Sequence, residues 1–288
     1  MVDGIWIPLV TPFRSGKIDV ESLQALVEYY ARSGITGMVA LGTTAEAALL
    51  SDVERATVLR TIVDAAPAGL PVIVGVGGLD TREFVKEIDR LEQWDVAGYL
   101  VSAPAWLCPD QAGLRWHFER IAGRTQRPIV LYNVPHRTGV SIDPDTVRQL
   151  TDHANIVAIK ECEPHHFDAL RDLPVDVLCG TDKAFLDCLL TGGAGGILAS
   201  AHVCADLLVD IQRLAGTGHA TEARQRFDVL RPVVELLFSA PNPSAIKAML
   251  AFDRLISSEV RMPITPANPA LVARLRVAHE TLRALRAK

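Results

Sequence analysis

No stretch of this chain approaches the ~18 consecutive apolar residues of a membrane-spanning helix, so a spanning protein is not expected. Its five cysteines (Cys108, Cys162, Cys179, Cys188, Cys204) contain no C-x-x-C pair, and their number is odd. That argues against a zinc site or disulfide framework and for reduced, mostly buried thiols. No G-x-G-x-x-G follows a strand-like run: the first such run exits into "VTPFRSG", and "GVGG" and "GGAGG" have the wrong spacing. A dinucleotide-binding open sheet therefore has no support. The net charge of −5 is spread along the chain, without the basic stripe that nucleic acid requires. "MVDGIWIPLVTPF" lacks the basic start and long apolar segment of a signal peptide, which makes the cytoplasm the expected compartment. Lysine is also scarce: of 29 basic residues six are lysines. One that closes an apolar run, as Lys160 does in "NIVAIKECE" (155–163), is hard to dismiss as background, because a buried cation is costly unless paired or deprotonated.

With 288 residues, 49% hydrophobic and 22% charged, the chain can bury one large α/β core or two ordinary ones. Eight short apolar runs recur: "GIWIPLV" (4–10), "GMVALG" (37–42), "PVIVGVG" (71–77), "GYLVSA" (98–103), "PIVLYN" (128–133), "IVAIK" (156–160), "VDVLCG" (175–180) and "GGILAS" (195–200). Amphipathic helical patterns such as 19–34, 51–66 and 80–94 lie between them, each begun by an Asp or Ser suited to capping. Continuous apolar strands separated by helices call for a parallel sheet covered by helices. Eight units predict a (β/α)₈ TIM barrel over residues 1–217. Beyond it, helical patterns near 219–239, 243–256 and 268–286, broken by proline-containing segments, predict a C-terminal three-helix extension over 218–288.

In such a barrel the chemistry sits at the carboxyl ends of the strands. There Lys160 is the candidate nucleophile: burial favours the neutral amine, which can attack a ketone to give an imine that serves as an electron sink. The competing reading is a structural ion pair with Glu161 or Glu163. Alternation along the strand weakens it for Glu161, which should face the other way. Tyr132 offers a phenol that can donate and accept a proton, although a tyrosine can equally just cap a core. Thr43 and Thr44 lie in a glycine-led turn able to hold a carboxylate, and Arg137 offers a planar fork for a second one. A metal-dependent aldolase or hydrolase using His165, His166 or His202 is the alternative from another class, but no spacing here matches a known metal motif.

Taken together, "PLVTPF" (8–13), "LGTTAEA" (41–47), "VLYNVPHRTG" (130–139), "AIKE" (158–161), "GTD" (180–182) and "GGAGGILASAHV" (192–203) resemble the dihydrodipicolinate synthase/N-acetylneuraminate lyase family of Schiff-base-forming lyases over nearly the whole chain. The resemblance implies that Lys160 forms an imine with pyruvate and that Tyr132 shuttles protons, with Thr43 as a further catalytic group. It also implies that Thr44, Gly180 and the Ile197 backbone help bind substrate, with neither metal nor organic cofactor. Arg137 occupies the place of the arginine that, in the synthase branch, binds the carboxylate of aspartate semialdehyde, which points to the diaminopimelate route to lysine. The family is usually a homotetramer built as a dimer of dimers.

Two departures stand out. Trp106, in "APAWLCPDQAGL", replaces the second relay tyrosine, and an indole N–H cannot pass a proton on. This keeps open another pyruvate-dependent aldolase or dehydratase acting on a sugar acid, a hydroxy-oxo acid or an aromatic acceptor. Where lysine-regulated relatives build an effector pocket, this chain has Asp52, Arg55, Leu79 and Ala105, with Glu83 the evident survivor. Lysine is therefore predicted not to inhibit, and micromolar lysine binding in a calorimetric titration would refute this.

Overall fold

The computed structural model of the protein describes residues 2–286. All eight apolar runs form strands: β1 (Gly4–Pro8), β2 (Gly37–Ala40), β3 (Val72–Val76), β4 (Gly98–Ser102), β5 (Ile129–Asn133), β6 (Ile156–Glu161), β7 (Asp176–Cys179) and β8 (Gly195–Ile197). They close into one parallel barrel in the order β1-β8-β7-β6-β5-β4-β3-β2, with Gly4 opposite Gly195 at the closure. This is the expected TIM barrel. The helices between the strands begin where their caps were expected. Ser51 and Glu54 form a reciprocal capping box, and Asp80 accepts the Arg82 N–H at 2.9 Å. Helix Thr81–Leu91 shows why the pattern reads so clearly, burying Phe84, Ile88 and Leu91 on one stripe against the barrel.

One inward side chain from each strand fills the barrel centre: Trp6, Val39, Ile73, Leu100, Val130, Ala158, Leu178 and Ile197. The Trp6 indole fits only because Gly37 lacks a side chain; a Cβ there would lie 2.3 Å from the ring. Side chains alternate across a strand, so the residue two positions further on faces the same interior, one layer nearer the carboxyl end. That next layer includes Pro8, Ser102, Tyr132, Lys160 and Gly180. The plug thus closes the barrel from below, and the layer above it becomes the floor of the mouth.

The extension consists of helices Ala220–Leu237, Ser244–Phe252 and Pro269–Arg286. Residues Ser244 to Leu250 of the middle helix are all buried, Lys247 among them at 0% exposure. The last helix packs against it through Leu271, Leu275 and Leu282, and Arg286 pairs with Asp206 at 2.7 Å. One element was not anticipated. Between β1 and the first helix, Phe13–Arg14 and Lys17–Ile18 pair as a small hairpin. Ser15 and Gly16 turn it with φ of 53° and 78°, a two-residue turn whose Ser-Gly signal is legible once sought. Among the thiols, Cys179, Cys188 and Cys204 are buried, Cys162 is half-buried and Cys108 is exposed. No described helix is long and apolar enough to cross a membrane.

Candidate active site

Lys160, next to last in its strand, is 6% exposed and directly across the β5/β6 ladder from Tyr132, and its Nζ lies 4.2 Å from the Tyr132 ring centroid. No described ion pair includes it. The competing ion-pair reading fails on geometry, because Glu161 points out of the barrel and is committed elsewhere. Its carboxylate accepts both Asn133 Nδ2 contacts (2.9 and 3.0 Å) and the Glu163 N–H at 2.7 Å, and lies 3.2 Å from His166 Nδ1. That hydrogen bond raises the His166 pKa, as a carboxylate partner should. The barrel wall therefore carries its own satisfied polar network, while Lys160 faces inward, across from the Tyr132 ring.

A cavity of about 280 Å³ opens above the plug. Lys160, Tyr132, Thr43, Thr44, Arg137, Gly180 and Ile197 all line it, so seven of the eight residues singled out in the sequence converge. Gly180 is needed for space: a Cβ there would come within 3.0 Å of Lys160 Cγ and 2.6 Å of Cys162 Sγ. Arg137 is presented by a single helical turn, Pro135–Thr138, which starts on a proline and is stopped by Gly139 at φ 80°. Thr43 and Thr44 sit in a 3₁₀ turn, Thr43–Ala45, whose last carbonyl accepts the Thr11 hydroxyl at 2.8 Å. The described hydrogen bonds include none from the Tyr132 hydroxyl.

The charged lining gives the mouth its sign. Arg137, Lys160 and Lys183 are the Arg and Lys side chains that line it, against Asp182 alone among the carboxylates. Asp182 is buried and accepts the Ser200 N–H at 2.7 Å; burial raises its pKa, which those bonds and Lys160 counter. His136, also in the lining, is pushed below the ordinary imidazole value by burial, then by Arg137 and Lys160. Such a mouth concentrates carboxylate-bearing ligands.

Sequence reading missed two contributors from the extension. Phe238 and Asn242 line the cavity, and Asn242 Nδ2 donates to Thr44 Oγ1 at 2.9 Å. The only hint was "SAPNPS", a helix break with no periodic signal. Trp106 does not line the cavity. It stands 87% exposed beside Leu107 at φ 68°, on a turn beyond β4. A second chamber of about 450 Å³ shares Thr43, Tyr132, Arg137 and Asn242 with the first and is walled mainly by apolar groups, among them Ala47, Val76, Ala105 and Ile264.

The histidines divide cleanly. His202 is fully used, its Nδ1 near the Ala199 carbonyl at 2.8 Å and its Nε2 accepting from Val10 N–H at 3.1 Å, and burial lowers its pKa to about 4. Glu163, His165 and His166 bring ligand atoms within 4.8 Å of one another, but none of the three lines the Lys160 cavity. An ion held there would not touch a group reacting with that lysine.

A buried amine at the floor of a mouth lined by basic groups, with a phenol across from it, is what a class I lyase needs in order to activate a carbonyl compound through an imine. The chain is a lyase of that class, and it belongs to the dihydrodipicolinate synthetase family, whose model matches residues 1–280. It is 36% identical over 280 residues to the 4-hydroxy-tetrahydrodipicolinate synthase 2 of Clostridium acetobutylicum, spanning 95% of this chain and 98% of that one. It superposes on the dihydrodipicolinate synthase of Thermotoga maritima with a TM-score of 0.95 at 32% identity, covering 98% of this chain and 99% of the other. The Acinetobacter baumannii synthase, solved complexed with pyruvate, matches with a TM-score of 0.94 at 30% identity over 98% and 99% of the two chains.

Proposed function

We propose that the protein condenses pyruvate, held as an imine on Lys160, with aspartate semialdehyde. The observation that carries this reading is the buried, unpaired Lys160 amine in a cavity it shares with Thr43, Thr44 and Arg137. The pyruvate carboxylate docks on the Thr43–Thr44 turn, and the Lys160 amine attacks C2. The resulting carbinolamine loses water to give an iminium ion, with Tyr132 moving the protons. Loss of a C3 proton leaves an enamine. Its C3 attacks the aldehyde carbon, and the aldehyde oxygen takes up a proton to become a hydroxyl group. Arg137 holds the acceptor's carboxylate meanwhile. The acceptor's amine then adds at C2 and expels Lys160, closing a six-membered ring and freeing the enzyme. Such a step stands in the diaminopimelate route to lysine.

The protein is read further as a homotetramer, a dimer of dimers. Trp106 and Leu107, 87% and 65% exposed, form the apolar tip that a second copy would cover. A second reading of the acceptor rests on the larger chamber, whose apolar walls open from the same Thr43, Tyr132 and Arg137 mouth and favour a bulkier aldehyde.

One set of measurements separates these readings. Borohydride added with pyruvate should reduce the imine and leave a stable adduct on Lys160, found by peptide mass spectrometry; a protein left unlabelled would sink the imine. Turnover of an aldehyde panel with pyruvate then assigns the acceptor. Aspartate semialdehyde should be used best by the wild type, and Trp106→Tyr should raise that activity. Preferential turnover of an aromatic or long-chain aldehyde would transfer the assignment to the second reading.

A further inference from the structure

The turn that carries Thr43 and Thr44 is gripped from behind by the C-terminal extension. Glu46, two residues beyond Thr44, adopts a left-handed conformation at φ 56°, which a residue with a side chain holds only when its surroundings fix it. Its N–H donates to the Thr43 carbonyl at 3.0 Å. The Glu46 side chain is fully buried and both oxygens are engaged, one by Lys247 Nζ at 2.5 Å and the other by the Arg261 N–H at 2.8 Å.

Lys247 is equally enclosed. It also donates to the Glu259 carbonyl at 2.9 Å and lies 4.2 Å from the centre of the Phe13 ring, whose centre is also 4.4 Å from the Arg261 guanidinium. Burial pulls its pKa down to about 8, and Glu46 opposes that shift. Neither group lines the Lys160 cavity; Glu46 borders the larger chamber beside it, and Lys247 lines neither. Asn242, two residues before that helix begins at Ser244, reaches Thr44 itself. Two independent tethers from the extension therefore converge on one turn of the mouth.

We propose that Glu46 and Lys247 are positioning residues whose buried pair holds the Thr43–Thr44 turn in the geometry that accepts the pyruvate carboxylate. This rests on the imine reading above and adds to it a division of labour. The extension sets how well pyruvate binds, while the barrel floor sets how fast the imine reacts. A charge stranded by removal of its partner must find water or move, and a displaced Glu46 carries the turn with it.

The test compares Lys247→Met, Glu46→Gln and the double variant in the full chain. The pyruvate concentration giving half-maximal borohydride trapping should rise ~10-fold in Lys247→Met and less in Glu46→Gln, with kcat and the aldehyde KM changing less than ~3-fold. The double variant, which strands neither charge, should recover part of the loss. If Lys247→Met fails to fold, Glu46→Gln decides alone, since it keeps the volume of the glutamate. A folded Glu46→Gln protein with a lowered melting temperature and wild-type pyruvate half-saturation would show a merely structural pair and overturn the proposal. A wild-type chain that traps no pyruvate would remove the imine reading, and the proposal with it.

Discussion

Lys160→Met should abolish turnover and leave the folded protein no less stable than before. The two effects come from the same fact, that the amine is buried without an ion-pair partner. Methionine nearly matches lysine in length and volume, so the cavity floor is preserved and Gly180 still has room beside it. What disappears is a buried polar head whose removal is favourable, set against the lost contact with the Tyr132 ring. That ring contact contributes about 0.5–2 kcal/mol, and relief of a desolvated polar head offsets it by a similar or larger amount, so a net change between zero and about 2 kcal/mol in favour of the variant is expected. Activity cannot survive, since a thioether forms no imine; kcat/KM should fall by at least ~10⁴-fold. Lys160→Arg should be equally inactive, because a guanidinium does not lose its proton at any working pH. Steady-state assays beside thermal melts check both halves. A Met variant keeping more than ~1% of wild-type kcat/KM would mean that the amine is not the nucleophile.

This combination of a costly group and a regular fold explains why so much of the site could be read from sequence. Strands β1 to β8 are buried on both faces and therefore continuous in apolarity, and a lysine at the end of one breaks that pattern at a single residue. Alternation then places Lys160 inward and Glu161 outward without further information, and the same parity puts Tyr132 in the Lys160 layer. Motif order supplied Thr43, Thr44, Arg137, Gly180 and Ile197, all of which line the cavity.

Residues joined across long stretches of chain were not legible. Glu46 and Lys247 are 201 positions apart, and Asn242 lies 198 positions from Thr44. A polar residue on a helix reads as solvent-facing by default, so Lys247 in "NPSAIKAML" gave no sign of being completely buried. The hairpin at Phe13 to Ile18 was missed for a related reason. Its strands are two residues long, too short for any periodicity, and its importance lies in where Phe13 goes, which is beneath the Lys247 and Arg261 cations. Trp106 was legible as a departure, but its place outside its own chain's cavity depends on a left-handed turn that composition does not reveal.

Tyr132→Phe separates two things the tyrosine does at once. Its ring lies against Lys160, with its centre 4.2 Å from the amine, and the residue lines the cavity and brings a phenol to it. Phenylalanine keeps the ring and its contact with the amine, so the Lys160 environment and the stability should hold to within about 0.5–1 kcal/mol. Turnover should not. Forming the imine requires a proton to reach the departing hydroxide of the carbinolamine, and the later steps require protons to leave C3 and reach the aldehyde oxygen. Loss of one positioned acid–base group of this kind costs ~10²–10⁴-fold in rate. Borohydride trapping gives the sharper reading, because the imine should still form, only slowly: trapped fraction should climb with incubation time toward the wild-type level while kcat stays depressed. Tyr132→Leu, which removes ring and hydroxyl together, should lose stability as well as rate. Phe at wild-type kcat would assign the proton transfers to water or to Thr43, and would leave Tyr132 as the wall against which Lys160 is held.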